Sequence, residues 1–354
     1  MNKSRVGNFF EDFELGQLIR HATPRTVTAG DAALYIGLTG SRDPLASSMR
    51  LACQLGFERS PIESFLVFNI AFGKTVPDLS LNAVANLGYA DLRFLQPVYD
   101  GDTISVTSEI IGLRENTNGK SGIVYVRSCA TNQYDQPILT WVRWVMVHKR
   151  GDTTSSPVNV VPSLPGAVDV TTFPIAAYGG AAQSISVATG ISDFWEQYEA
   201  GERIEHPSAM TINDSDHSIA TRLYQNTAKA HFDGHLMAKT VAGKRLVYGG
   251  HVISVCRALA YDGLENVLSV IAVNAGTHVA PTYAGDTLAC ATTVVEKLDL
   301  NRSDVGALRL RMIGAKNVSS SAISFPERTA NKANYGAEVV LDIDYVVTIP
   351  RQPR

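Results

Sequence analysis

Pro97-Val98-Tyr99-Asp100-Gly101-Asp102-Thr103-Ile104 and Pro281-Thr282-Tyr283-Ala284-Gly285-Asp286-Thr287-Leu288 are one octapeptide written twice, 184 positions apart. Two earlier segments repeat in the same order. Phe13-Glu14-Leu15-Gly16 matches Tyr198-Glu199-Ala200-Gly201, and Val27-Thr28-Ala29-Gly30-Asp31 matches Ile212-Asn213-Asp214-Ser215-Asp216, both at an offset of 185. Solenoid repeats recur every ~20–50 residues, so a period this long marks a duplicated domain. The first copy spans 1–150 and the second 193–354. Residues 151–192, rich in Gly, Ser, Thr, Pro and Ala, read as a linker crossing the surface.

Each copy follows one plan. Thr28-x-x-Asp31 and Asn213-x-x-Asp216 look like helix starts, predicting short helices over Ala32 to Leu38 and His217 to Tyr224. An apolar helix comes next, Ser64 to Lys74 in one copy and His251 to Tyr261 in the other. Phe65, Phe68, Ile70, Ala71 and Phe72 make the first too apolar all round for a surface position, so something wraps it. The remainder reads as strands: Leu92–Phe94, Thr103–Ile111, Gly122–Thr131 and Ile138–Val147, with weaker counterparts up to Val347. Two sheets, each wrapping a buried helix, give an α+β chain.

With 354 residues and 45% hydrophobic content the chain can bury a full core. Its 31 basic and 34 acidic residues are balanced, which argues against a duplex nucleic-acid partner. No stretch approaches eighteen unbroken apolar residues and the N-terminus has no apolar signal core, so a cytoplasmic protein off the membrane is expected. Cys53, Cys129, Cys256 and Cys290 are scattered without a CxxC pair, which fits a reducing compartment.

Two pieces between Tyr224 and Ile253 carry chemistry. Asn226-Thr227-Ala228-Lys229-Ala230-His231 ends in a histidine, which can move a proton near neutral pH. Leu246-Val247-Tyr248-Gly249-Gly250-His251 breaks at two glycines before an apolar helix, whose free N–H groups can hold a developing negative charge.

At these residues the chain resembles the MaoC-like family of (R)-specific enoyl-CoA hydratases. That family's motif reads Gly-Asp-x-Asn-Pro-x-His, then Ile-x-His-Gly opening the central helix, then Pro-x-x-x-Gly-Asp-Thr. The resemblance covers both copies apart from the linker and implies a double hotdog, two tandem repeats of a sheet around a helix. It also implies that His231 activates water and that the Gly250 N–H receives the thioester oxygen. In the first copy the motif falls on Gly40-Ser41-Arg42-Asp43-Pro44-Leu45-Ala46, with alanine at the histidine position and Ser64 at the glycine. That copy carries no proton shuttle and reads as a wall. In the second, Asn226 stands where aspartate is expected. An amide orients water but accepts no proton at neutral pH. Either His231 works alone, with Asn226 orienting the water, or a carboxylate such as Asp43 or Glu63 completes the pair. Tyr-Gln-Asn-Thr-Ala-Lys-x-His-Phe and Lys-Arg-Leu-Val-Tyr-Gly-Gly-His are similar to a narrower group, the double-hotdog mesaconyl-CoA hydratases, which interconvert mesaconyl-CoA and β-methylmalyl-CoA.

The expected activity is therefore a hydro-lyase acting on a 2-enoyl-CoA without metal or redox cofactor. Its expected partners are the acyl-CoA and a second copy of the chain. His231, Asn226 and Gly250 are the candidate catalytic residues. His251, Gly249, Lys244, Arg245 and Arg42 are candidates for holding substrate; Lys244-Arg245 would meet coenzyme A phosphates, or simply form a solvated turn. Arg42, Arg59 and Arg257 are candidate cations for a substrate carboxylate. His231 and His235 have the i, i+4 spacing of a zinc pair, but no Glu of H-E-x-x-H stands between them and Gly234 weakens the helix. An acyl-CoA thioesterase and a non-catalytic acyl-CoA-binding protein stay open as alternatives, since a fold does not fix a function.

Overall fold

The computed structural model describes residues 7–151, 159–173, 175, 178, 181–326 and 334–353. The first half runs β1 (Leu18–Thr26), α1 (Ala29–Thr39), two short helices α2 (Pro44–Ser47) and α3 (Met49–Gln54), and the long α4 (Ser64–Leu79). Strands β2 (Ala83–Phe94), β3 (Thr103–Glu115), β4 (Ser121–Thr131) and β5 (Pro137–His148) follow. After α5 (Ala181–Thr189) the plan repeats. It gives β6 (Arg203–Glu205), β7 (Met210–Thr211), α6 (Asp214–Leu223), α7 (Lys229–Phe232), α8 (Gly234–Met237) and α9 (Gly249–Leu259). Strands β8 (Ser269–His278), β9 (Thr287–Leu298), β10 (Val305–Lys316) and β11 (Val339–Pro350) complete it.

All the strands join one antiparallel sheet in the order β1-β3-β4-β5-β2-β8-β11-β10-β9-β6, with β7 also on β9. The order reads symmetrically outward from the β2–β8 seam, where Tyr89 faces Gly276 and Leu92 faces Val273. The sheet curls around α4 and α9, whose side chains are buried on nearly every face. Phe68 of α4 meets Trp141 edge-on at 5.9 Å. The arrangement is the double hotdog that the resemblance implies. Among the described residues no helix is long and apolar enough to cross a membrane.

The boundaries differ from expectation in instructive ways. α1 and α6 begin three residues early because each capping pair lies at the helix mouth: Asp31 accepts from the Thr28 backbone and Asp216 from the Asn213 backbone. α4 continues through Pro77, which stands in its last turn and removes one ladder bond without ending the helix. β2 starts at Ala83, well before Leu92, and its irregular register between Ala83 and Arg93 hides the alternation that marks a strand.

The 151–192 stretch is more than a solvated linker where it is described; 152–158, 174, 176–177 and 179–180 lie outside the described residues. Val160 forms a β-bridge with Leu113. Val168 and Val170 are buried against Ile271, Ala307 and Val346, on the sheet face turned away from the helices. α5 closes over Leu45, Leu51 and Leu55. Both faces of this sheet are apolar, so the face without a central helix needs a cover, and this strap supplies it.

Contacts along α4 and α9 run in opposite order, so the two helices are antiparallel. Phe72 lies near Tyr248, and Asn69 bonds Gly250 and Ser254. At Gly73 a Cβ would stand 1.9 Å from the Tyr224 carbonyl oxygen. A Gly73→Ala substitution is therefore expected to destabilise the fold by about 1–3 kcal/mol through overpacking. A lowered urea midpoint would record it; an unchanged midpoint would mean that the 224–226 turn yields freely.

Candidate active site

α9 opens at Gly249, with Tyr248 as its N-cap residue and no side chain capping it. This corrects the expected helix start by two residues and makes Gly249, not Gly250, the counterpart of Ser64 at the repeat offset of 185. The His251 N–H already bonds the Tyr248 carbonyl at 2.9 Å. The N–H groups of Gly249 and Gly250 stand outside the ladder, at the positive end of the helix dipole. Neither glycine has a left-handed backbone; both are there for space. A Cβ at Gly249 would lie 2.4 Å from His278 Nε2, and one at Gly250 2.0 Å from Asn69 Oδ1.

His231 is carried by α7, which the backbone ties to the segment before α9: Leu246 N–H donates to the Ala230 carbonyl at 2.9 Å. His231 Nδ1 lies 2.8 Å from the Leu246 carbonyl oxygen. A carbonyl only accepts, so Nδ1 holds the proton and Nε2 keeps the lone pair. The ring sits 5.5 Å from that of Tyr248. Burial pushes His231 down to about 4, against a raising contribution from the Leu246 bond. The imidazole is thus neutral at pH 7, with one ring nitrogen available as a base.

Asn226 is buried, and its Oδ1 accepts the Ala228 N–H at 3.0 Å. This local turn launches α7, so the side chain positions the segment that holds His231. The residue also lines a cleft of about 400 Å³ with Lys74, Thr227 and Phe232. Its amide accepts no proton, and its oxygen is already committed.

The other expected residues divide. His251 is fully buried in the first turn of α9, with Nδ1 3.4 Å from the Tyr224 hydroxyl and Nε2 without a partner among the described residues. Lys244 is exposed, its ammonium 4.6 Å from the centre of the Tyr283 ring. Arg245 is bound to Asp214 at 2.6 Å. Arg42 is bound to Asp262 at 2.7 Å, beyond the far end of α9, a helix of 11 residues and so about 16 Å long at ~1.5 Å per residue. The structure therefore does not bring Arg42 to the reacting end. His231 and His235 lie on separate helices, α7 and α8, so their i, i+4 alignment does not form.

Asp43 and Glu63 are not beside His231 either. They line a cavity of about 120 Å³ at the start of α4, together with Ser64 and Arg257. Ser41 donates to Glu63 Oε2 at 2.9 Å, and burial beside Asp43 pushes Glu63 up to about 8. The idea that a first-half carboxylate completes the His231 pair finds no contact to support it among the described residues.

Sequence reading passed over four residues at the α9 start. Tyr248 packs on Phe72, Tyr224 and His231, with its hydroxyl buried and without a partner among the described residues. Tyr89 Oη lies 3.2 Å from His278 Nε2. Asn69 reaches over from α4. The only signal available for these was the position of Tyr248 just before the glycines.

The profile of the mesaconyl-CoA hydratase family matches residues 1–331. This chain belongs to that family. It is 50% identical over 351 residues to the β-methylmalyl-CoA dehydratase of Chloroflexus aurantiacus, covering 99% of each chain. It is 43% identical over 349 residues to the mesaconyl-CoA hydratase of Cereibacter sphaeroides, covering 99% of this chain and all of that one. A solved structure of a MaoC-domain protein from Chloroflexus aurantiacus superposes with a TM-score of 0.93 at 49% identity, over the full length of both chains.

The neutral histidines of this family member have a consequence for stability. His206, His231, His251 and His278 are each held near 4, chiefly by burial, and His217 is lowered too. An unfolded histidine binds its proton near 6.5. Between about pH 6.5 and 4 the unfolded chain thus carries more protons on these five groups, and stability falls as pH falls. Glu63 and Asp43 are raised and act in the opposite direction, favouring the fold at lower pH. Five groups outweigh two. Urea unfolding should show a midpoint that drops from pH 6.5 to 4.5; a rising midpoint would contradict buried neutral histidines.

Proposed function

We propose that the chain reversibly adds water to mesaconyl-CoA, giving β-methylmalyl-CoA, with His231 as the proton carrier at the start of α9. Family membership and the two relatives, named for opposite directions of one reaction, support the substrate. What supports the site is one observation: His231 is fixed by the Leu246 carbonyl with Nε2 unprotonated, on a helix tied to the segment that leads into the free N–H groups of Gly249 and Gly250.

The step balances as a simple addition. Nε2 takes a proton from water, the water oxygen bonds to the carbon β to the thioester, and the double-bond electrons move onto the thioester oxygen. N–H groups at the α9 start, Gly250 among them, stabilise that charge, and one such donor contributes roughly 3–4 kcal/mol. The imidazolium then returns its proton to the α-carbon, restoring the carbonyl and the neutral ring. No electron changes hands, so the reaction needs no redox group. Asn226 holds the α7 turn and presents its amide to the incoming water.

Loss of enoyl-thioester absorbance on adding mesaconyl-CoA is the test. His231→Ala should lower kcat by about 10²–10⁴, the usual contribution of a positioned acid–base group. An unchanged variant would remove His231 from the mechanism, and free-thiol release without hydration would point to a thioesterase. Because His231 titrates near 4, kcat/KM should hold level down to about pH 5 and fall only below it. A fall centred near 6.5 would mean that the working base is solvated.

A further inference from the structure

The helix-facing positions of β5 are Leu139, Trp141, Arg143, Val145 and Val147, all buried. Four are apolar and one is a fully buried arginine. Its Nη2 donates to Thr75 Oγ1 at 2.9 Å, and its guanidinium carbon lies 4.2 Å from the centre of the Phe72 ring. Nε and Nη1, which carry three of the five N–H donors, have no partner among the described residues. Other arginines of the sheet are treated differently. Arg309 and Arg311 each clasp an aspartate of β11 through two nitrogens, at 2.8–3.0 Å to Asp344 and 2.7–3.1 Å to Asp342. Arg143 meets two hydroxyls, Thr75 and, at 3.5 Å, Ser80, and an aromatic face, none of them an anion. Burial lowers it to about 10, so it is still a cation at neutral pH.

Its surroundings lead to the reacting end of α9. Arg143 is the cross-strand partner of Tyr89, whose hydroxyl reaches His278, and His278 occupies the space that a Gly249 side chain would fill. Phe72, beneath the guanidinium, packs 5.7 Å from the Tyr248 ring, which in turn lies 5.5 Å from His231. The Tyr248 hydroxyl is a second buried donor without a partner among the described residues. Other cations near this end are engaged or exposed: Lys74 with Gln225, Arg245 with Asp214, Lys244 in the open.

We propose that Arg143, together with the Tyr248 hydroxyl, receives the free carboxylate of the substrate and so selects a dicarboxylic acyl thioester over a monocarboxylic one. The assignment rests on the hydratase reading above. In mesaconyl-CoA the carboxylate is bonded to the carbon that water attacks, so its cation has to lie beyond the double bond from the helix start that holds the thioester oxygen. A carboxylate without a partner is costly in an apolar site, and so is a guanidinium. Each satisfies the other through charge-assisted hydrogen bonds.

Two saturated thioesters that cannot be hydrated test this without relying on turnover: methylsuccinyl-CoA, which has the carboxylate, and 2-methylbutyryl-CoA, which has a methyl in its place. Calorimetric titration of wild type should show the first binding at least tenfold tighter. Arg143→Gln should weaken methylsuccinyl-CoA by about 100-fold, as expected for removing one partner of a buried charge pair, and leave 2-methylbutyryl-CoA within about threefold. Tyr248→Phe, which keeps the ring packing, should weaken methylsuccinyl-CoA by about tenfold. Equal binding of the two thioesters by wild type would overturn the proposal, whatever the variants do. So would equal losses for both in a folded Arg143→Gln, which would mark a structural role. Failure of the hydratase reading would show elsewhere, as wild type that leaves mesaconyl-CoA absorbance unchanged.

Discussion

Asn69 is where the central helices of the two halves are joined. Its amide donates from α4 to the Gly250 carbonyl at 3.2 Å and to Ser254 Oγ at 3.0 Å, and Ser254 itself donates to Gly250. Both helices are buried, so water cannot replace these bonds, and leaving one of these groups unpaired would cost about 1–3 kcal/mol. The consequence is geometric. The start of α9 is fixed against the side of α4, and Phe72, Tyr89 and Arg143 of the first half become its surroundings.

Antiparallel packing gives each helix start walls from both halves, and the two ends have diverged. At the α9 start stand two glycines, a neutral histidine and a ring of aromatic residues. Ser64 at the α4 start is accompanied by Glu63, Asp43 and Arg257, and alanine occupies the His231 position. The two carboxylates there crowd each other in a cavity that raises both. A group that has to be negative is poorly placed in such surroundings, whereas a group that works neutral is well placed. His231 therefore suits burial in a way that a first-half carboxylate would not. The first half has Ala46 where the second has His231, and its strand and helix faces pack around the α9 start.

Most of the fold was legible in the sequence because duplication and burial leave strong signals. The repeated Pro-x-x-x-Gly-Asp-Thr segment and the all-apolar Phe65–Phe72 run depend on turns and packing that local residues dictate. β2 was largely missed because its irregular register breaks the alternation, and the strap over 160–170 because isolated valines in a Gly/Pro-rich stretch look like a linker. Of the site, His231 and the two glycines were visible as motif positions. Tyr89, Asn69 and His278 were not, since each reaches the α9 start through tertiary contacts with no local pattern. Arg143 does leave a trace in the sequence: one charge on the apolar face of Leu139, Trp141, Val145 and Val147.

The asparagine at position 226 follows from the same electrostatics. His231 is oriented by a backbone carbonyl, which fixes the tautomer without adding charge. An aspartate at 226 would add a negative charge next to the α7 turn, favour the imidazolium and lower the fraction of free base. On the proposed reading it would also add a second anion to a site that already takes the carboxylate of mesaconyl-CoA. A monocarboxylic enoyl thioester carries no such anion near the double bond, so an aspartate beside its histidine meets no repulsion. On the proposed reading, a neutral amide at 226 and a lone guanidinium at 143 are two halves of one adjustment. One removes a protein anion and the other supplies a cation, so the site with substrate bound is close to neutral.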